Sequence, residues 1–202
     1  MNTPNPDAAT RVVRALFAVT LGAVGLGTHG AAAAFEIKPD ARLHVDYADH
    51  DADVEPLDDG WIARRATIGL KGKFNDDWSF EASYELTSKG DIRPRDGEFK
   101  DVALTYDGWR AGEITAGQFK IPFGLEELTS SNDTLFIERA LPVDAFAPSR
   151  RLGVGISHQR ADYTVSAMVF GSSIDGGDRG RGLAARLTFA PVQSANTVVH
   201  LG

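Results

Sequence analysis

The sequence predicts an all-β protein, an antiparallel barrel that crosses a membrane, and three observations carry that reading. Apolar and polar residues alternate with period two over stretches as long as residues 77–87. The connections between such stretches alternate long and short, and aromatic residues gather beside both kinds. Residues 77–87 are the clearest case: Trp78, Phe80, Ala82, Tyr84 and Leu86 alternate with Ser79, Glu81, Ser83 and Glu85, which describes a strand with one apolar and one wet face.

Taken in order, the chain begins with an address. Arg11 and Arg14 precede an uncharged run over residues 15–26, followed by Gly27-Thr28-His29-Gly30 and Ala31-Ala32-Ala33-Ala34. A basic start, an apolar run and a small-residue A-x-A end are the parts of a secretory signal peptide, so residues 1–34 are expected to be cleaved and 35–202 exported. A short amphipathic or membrane-anchoring helix is the alternative.

Period-two runs follow at residues 42–47, 63–74, 77–87, 101–109, 113–119, 152–157, 163–170 and 183–189, with another beginning near Thr197. Several approach the length of a tilted membrane strand, longer than the usual strand of a soluble sheet. Their connections are long at 48–60, short at 75–77, long at 88–98, short at 108–111, very long at 121–150, short at 159–162, medium at 171–180 and short at 191–195. Outer-membrane barrels alternate in this way because tight turns lie on one side and generous loops on the other. Phe74, Trp78, Phe80, Tyr106, Trp109, Tyr163 and Phe189 lie near short turns, and Tyr47, Trp61 and Phe170 near long ones, as two interfacial belts would. Cross-strand aromatic packing inside a soluble sheet is the competing explanation.

Composition narrows the function. The 202 residues carry 21 Lys+Arg against 28 Asp+Glu, a formal charge of −7, without the basic footprint of a general nucleic-acid binder. The absence of cysteine removes disulfide scaffolds, thiolate metal sites and cysteine nucleophiles. No apolar run is long enough for a spanning helix, which leaves a β-barrel open because its strands are only half apolar.

In a membrane barrel the apolar face meets lipid and the polar face meets water. Ala66, Ile68, Leu70, Gly72 and Phe74 are then expected on the lipid side, and Arg65, Thr67, Gly69, Lys71 and Lys73 on the lumen side. Glu81, Glu85, Asp101, Thr105, Asp107 and Arg186 also project inward. Arg64 breaks the alternation, which marks either a residue snorkelling at the rim or a bulge.

The stretch Gly117-Gln118-Phe119-Lys120-Ile121-Pro122-Phe123-Gly124-Leu125-Glu126-Glu127-Leu128-Thr129-Ser130-Ser131 resembles the phosphate-selective porin O/P family. So do Phe136-Ile137-Glu138-Arg139-Ala140-Leu141-Pro142 and Pro148-Ser149-Arg150-Arg151-Leu152-Gly153, and Arg64-Arg65-Ala66-Thr67-Ile68-Gly69 is similar to that family's double-arginine strand. The resemblance runs over essentially the whole exported part. It implies a homotrimeric outer-membrane porin of sixteen strands per subunit, in which arginines and lysines lead small anions such as phosphate through a narrow aqueous pore. The strands counted here are about half of that number, so the chain is read as the N-terminal part of such a barrel, a fragment or a truncated product. The resemblance also implies that the loop at about 121–150 folds inward and narrows the pore.

The candidate anion track is Arg64, Arg65, Lys71, Lys73 and Lys120, with Arg139, Arg150 and Arg151 as constriction-loop candidates whose facing the period does not give. A hydrated anion enters a narrow site only where N–H donors replace its water, which Arg forks do bidentately. Glu81, Glu85, Asp101 and Asp107 are counter-charges that favour a general or cation-preferring pore instead. The apolar residues of the long loop (Leu125, Leu128, Leu135, Phe136, Ile137, Leu141, Phe146) suggest packing against something. The acidic connection with Asp46, Asp49, Asp51, Asp53, Glu55, Asp58 and Asp59 lacks EF-hand spacing and reads as a solvated loop before a cation site. No hydrolase, zincin or Walker motif is present, so no catalytic residue, metal or cofactor is expected. The partners expected are outer-membrane lipid, small anions and further copies of the subunit, with no nucleic acid. A non-pore outer-membrane or secreted β-protein is the alternative from a different class.

Overall fold

In a computed structural model the alternating runs become one antiparallel sheet. It describes residues 11–17, 35–49, 60–88, 91–134, 136, 138–176 and 180–202, with backbone only for 11–17 and Asp49. Most of the expected leader, most of the acidic loop (Asp51, Asp53, Glu55, Asp58, Asp59), Leu135 and Ile137 lie outside these residues.

The strands are β1 (Arg11–Phe17), β2 (Glu36–Asp49), β3 (Gly60–Lys73), β4 (Trp78–Glu85), β5 (Thr87–Ser88), β6 (Asp91–Ile92), β7 (Glu98–Tyr106), β8 (Glu113–Lys120), β9 (Arg150–Gln159), β10 (Tyr163–Phe170), β11 (Gly182–Gln193) and β12 (Val198–Leu201). Ten of them form one sheet in chain order, while β5 and β6 make a separate hairpin within the connection from β4 to β7. The sheet is open: β1 and β12 are its two edges. The β1 backbone runs along β2 from Arg11↔Asp49 to Phe17↔Leu43.

Strands and connections follow the sequence pattern, with informative shifts. The first expected strand begins earlier, at Glu36, and passes through Pro39. The run expected at 101–109 is Glu98–Tyr106, so Asp107, expected to point inward from this strand, lies one residue beyond its end and is exposed. The turn before β4 is tied by Asn75, whose Oδ1 accepts from the backbone N–H groups of Asp77 and Trp78, both at 2.9 Å. Gly117 has φ 133, and a Cβ there would strike the Val102 carbonyl, so β8 passes β7 at a distance only glycine permits.

The two faces differ completely. Register carries one row through Gly72, Phe80, Leu104, Ala116, Val154, Val169 and Leu183, and a second through Trp78, Tyr106, Ile114, Ile156, Ala167 and Ala185. These rows are apolar across the sheet and open to the outside, with Val154 at 49%, Val169 at 58% and Leu183 at 73% exposure. Among the described residues the buried hydrophobics are only Ala66, Ile121 and Met168, whereas buried polar residues include His44, Asp46, Ser83, Glu85, Gln118, Glu127 and Thr188. A soluble protein buries the opposite set.

Aromatic pairs mark both ends of the outer face. Phe74 lies 4.9 Å from Phe80 and Trp78 4.9 Å from Tyr106 near the short turns; Tyr47 lies 5.0 Å from Trp61 and Tyr84 5.0 Å from Phe99 near the long connections. Phe170, expected in the second belt, instead alternates onto the polar face beside Met168, where its ring lies over Gly182. Nearness to a loop does not set facing; the pleat does.

Candidate functional site

The polar face carries the charges, and two bulges increase their density. In β3 the register steps from His44↔Arg65 to Val45↔Ala63, which leaves Arg64 as the extra residue. The rim-or-bulge ambiguity is thus resolved as a bulge, and Arg64 and Arg65 line the same cavity. In β7 the step from Ala82↔Val102 to Tyr84↔Phe99 sets Lys100 and Asp101 against Ser83 alone. Each bulge re-aims one side chain and so places two adjacent charges on one wall.

The connection between β8 and β9 lies across this wall. Ile121 is fully buried and its N–H donates to the Ser149 carbonyl at 3.1 Å, closing the base. Between them are two short helices, α1 (Leu125–Leu128) and α2 (Leu141–Phe146). Arg42 donates to Ser131 Oγ at 3.2 Å, His44 Nε2 lies 3.2 Å from Asn132 Oδ1, and Arg64 pairs with Glu138. Arg139 ties the connection to itself, with Nε donating to the Glu126 carbonyl and Nη2 to the Thr129 carbonyl, both at 3.0 Å. The grip on the sheet is polar. Phe136, Leu141 and Phe146, expected to pack, are each more than three-quarters exposed.

Wall and connection together enclose a cavity of about 680 Å³. Of the residues expected to matter, Arg64, Arg65, Lys71, Lys120, Arg139, Arg150, Glu81, Glu85 and Asp101 line it. Lys73 lines an adjoining cavity of about 460 Å³ that shares Lys71, Glu81, Asp101 and Phe119. Arg151 and Asp107 line neither. The main cavity also brings in Arg42, Lys100 and Glu127, which sequence reasoning did not single out. Arg42 was findable, since His44 and Asp46 share its parity on β2. Lys100 depended on the bulge, and Glu127 on the path of a long irregular segment.

Eight cationic residues and seven carboxylates line the main cavity, so it is slightly positive inside a chain of charge −7. Most of the cations have a carboxylate neighbour. Lys71 lies 3.1 Å from Glu81 and 3.5 Å from Asp40; Lys100 pairs with Glu98; Glu127 lies 3.8 Å from Lys120 and 3.6 Å from Arg139. Arg150 forks onto Asp101, with Nε–Oδ1 at 3.0 Å and Nη2–Oδ2 at 2.8 Å. Two arginines are placed differently. Arg42 bonds a serine hydroxyl, and Arg65 keeps its Nη1 buried with no hydrogen-bond partner among the described residues.

Glu85 is not free to counter a passing cation. Its carboxylate accepts from Ala66 N at 2.6 Å, Thr67 Oγ1 at 2.9 Å and Thr87 Oγ1 at 2.7 Å, which sews it into the wall. Such a surface, wet and charged with both signs, can order and pass small ions.

A family model described as phosphate-selective porin O and P matches residues 37–202. The chain is 30% identical to "Porin O" of Pseudomonas aeruginosa over 178 residues, covering 83% of this chain and 40% of that protein. It is 28% identical over 183 residues to an "Uncharacterized protein" of Caulobacter vibrioides, covering 82% of this chain and 35% of that one. The chain thus spans well under half the length of both relatives.

Proposed function

Since this chain belongs to the phosphate-selective porin O and P family, we propose that it forms part of the wall and the constriction of a water-filled diffusion channel in an outer membrane, with a preference for small anions such as phosphate. The observation that carries the proposal is the inverted sheet: an apolar face turned outward, and a charged face around a cavity with one more cation than carboxylate. Lipid meets the first and permeating ions the second. An exported precursor and a homotrimeric assembly belong to the same reading.

Ions enter along a surface where fixed charges stand in for part of their hydration. Arg42 is the anion-facing donor in this proposal, because the other lining cations lie close to carboxylates and Arg65, whose Nη1 is buried, adds charge to the wall rather than an open donor. The connection between β8 and β9, held over the wall by Arg42, His44 and Arg64, narrows the path. A pore of general or cation preference is the second reading, and the extent of cation–carboxylate pairing favours it over strong phosphate selectivity.

Reversal potentials across planar bilayers under a KCl gradient test the choice. The proposal expects chloride to permeate better than potassium, and the reverse order refutes the anion preference. No conductance from the properly folded full-length trimer would favour a non-pore role.

A further inference from the structure

We propose that Glu127 sets the selectivity of the constriction by withholding two cations from permeating anions, so that the channel passes monovalent anions and retains multiply charged phosphate only weakly. This rests on the channel reading above and deepens it. Glu127 lies on α1, in the connection that crosses the wall, and its side chain is 11% exposed in a cavity otherwise open to water. Its carboxylate lies 3.8 Å from Lys120 Nζ and 3.6 Å from Arg139 Nε.

These distances describe ion pairing rather than tight hydrogen bonds, and the reason is visible in the donors. Lys120 Nζ donates to the Glu127 carbonyl, and Arg139 donates to the carbonyls of Glu126 and Thr129. Both cations therefore direct N–H groups at the loop backbone while Glu127 cancels much of their field. Phosphate is held where several N–H donors replace its water. Lys120 and Arg139 have donors engaged elsewhere and a carboxylate beside them, so they attract anions without binding them strongly.

The test uses the full-length protein that contains this chain, purified from membranes and inserted into planar bilayers, comparing wild type with Glu127→Gln and Glu127→Asp. One unit charge acting over about 4 Å in water-like surroundings changes a monovalent ion's partition by about fivefold. Glu127→Gln is expected to raise the chloride-to-potassium permeability ratio by at least about fivefold. It should also lower the concentration of inorganic phosphate that half-blocks chloride current by about twenty-fivefold, because a dianion feels the change twice. Glu127→Asp keeps the charge and should keep both values.

An unchanged ratio and unchanged phosphate block in a conducting Glu127→Gln channel overturn the proposal and leave Glu127 a loop anchor. A Glu127→Asp channel shifted as far as Glu127→Gln overturns it too, since position rather than charge would then be at work. If Glu127→Gln fails to fold, Arg139→Gln is read instead: with Glu127 less neutralised, anion preference should fall, and a rise or no change overturns the idea. A cation-preferring wild type refutes the anion preference proposed above but not this inference, which is read from the shift between variants. A wild type without current overturns both.

Discussion

The pair Asp101–Arg150 offers the sharpest energetic test of the wall. Asp101 sits at the β7 bulge and Arg150 at the start of β9, so their fork spans the intervening strand β8. Hydrogen bonds to charged groups each contribute about 1.5–3 kcal/mol when well sheltered. Here the two side chains are 20% and 22% exposed in a wet cavity, so screening removes part of that. A coupling of about 2 kcal/mol remains as the expectation. Asp101→Asn and Arg150→Gln should each cost about 2–3 kcal/mol, below the ~3–5 kcal/mol of breaking a fully buried pair. The double variant should cost about 2 kcal/mol less than the sum. The assay is urea unfolding of the protein folded into lipid vesicles, followed by tryptophan fluorescence, for wild type, both single variants and the double. Ser83 Oγ should hold the bulge in all four, because its partners on Asp101 are backbone atoms. A coupling below about 0.5 kcal/mol would refute the claim that this fork fastens the wall across β8.

Two further outcomes follow from the inverted faces. Val169→Arg, on the outward row, should destabilise the membrane-inserted protein by about 2–4 kcal/mol, whereas Ala103→Arg, which lines the smaller cavity, should change stability little; equal costs in vesicle unfolding would contradict the face assignment. Glu85→Gln exchanges one accepting oxygen for a donor facing the donors of the wall, so it should cost about 1–3 kcal/mol in the same assay; no measurable cost would contradict the claim that this carboxylate is sewn into the wall.

Much of the fold was legible because a strand's side chains have period two, and a wet face and a greasy face write that period directly into the residues. Residues 77–87 predicted both β4 and the direction in which Glu81 projects, and the alternation of long and short connections predicted antiparallel neighbours in chain order. The facing of Arg64 was not legible in the same way. Inserting one residue reverses everything beyond it, and only the register with β2 shows where the extra residue sits. For Asp107 the period gives an inward parity but not the end of β7, which stops at Tyr106. Phe170 failed for a simpler reason: sequence distance from a loop says nothing about the side of the pleat.

The sequence by itself determined the β class, the strand order, the outward apolar rows and the family, since each is a local or periodic property of neighbouring residues. Tertiary structure alone decided which charges meet. Lys120, Glu127 and Arg139 belong to a strand end, a helix of one turn and an irregular segment, and no period relates them. Whether a cation on this wall faces the water or a carboxylate depends on how a connection of nearly thirty residues returns across the sheet. That path is set by contacts such as Arg42–Ser131 and Arg64–Glu138, between residues far apart in the chain.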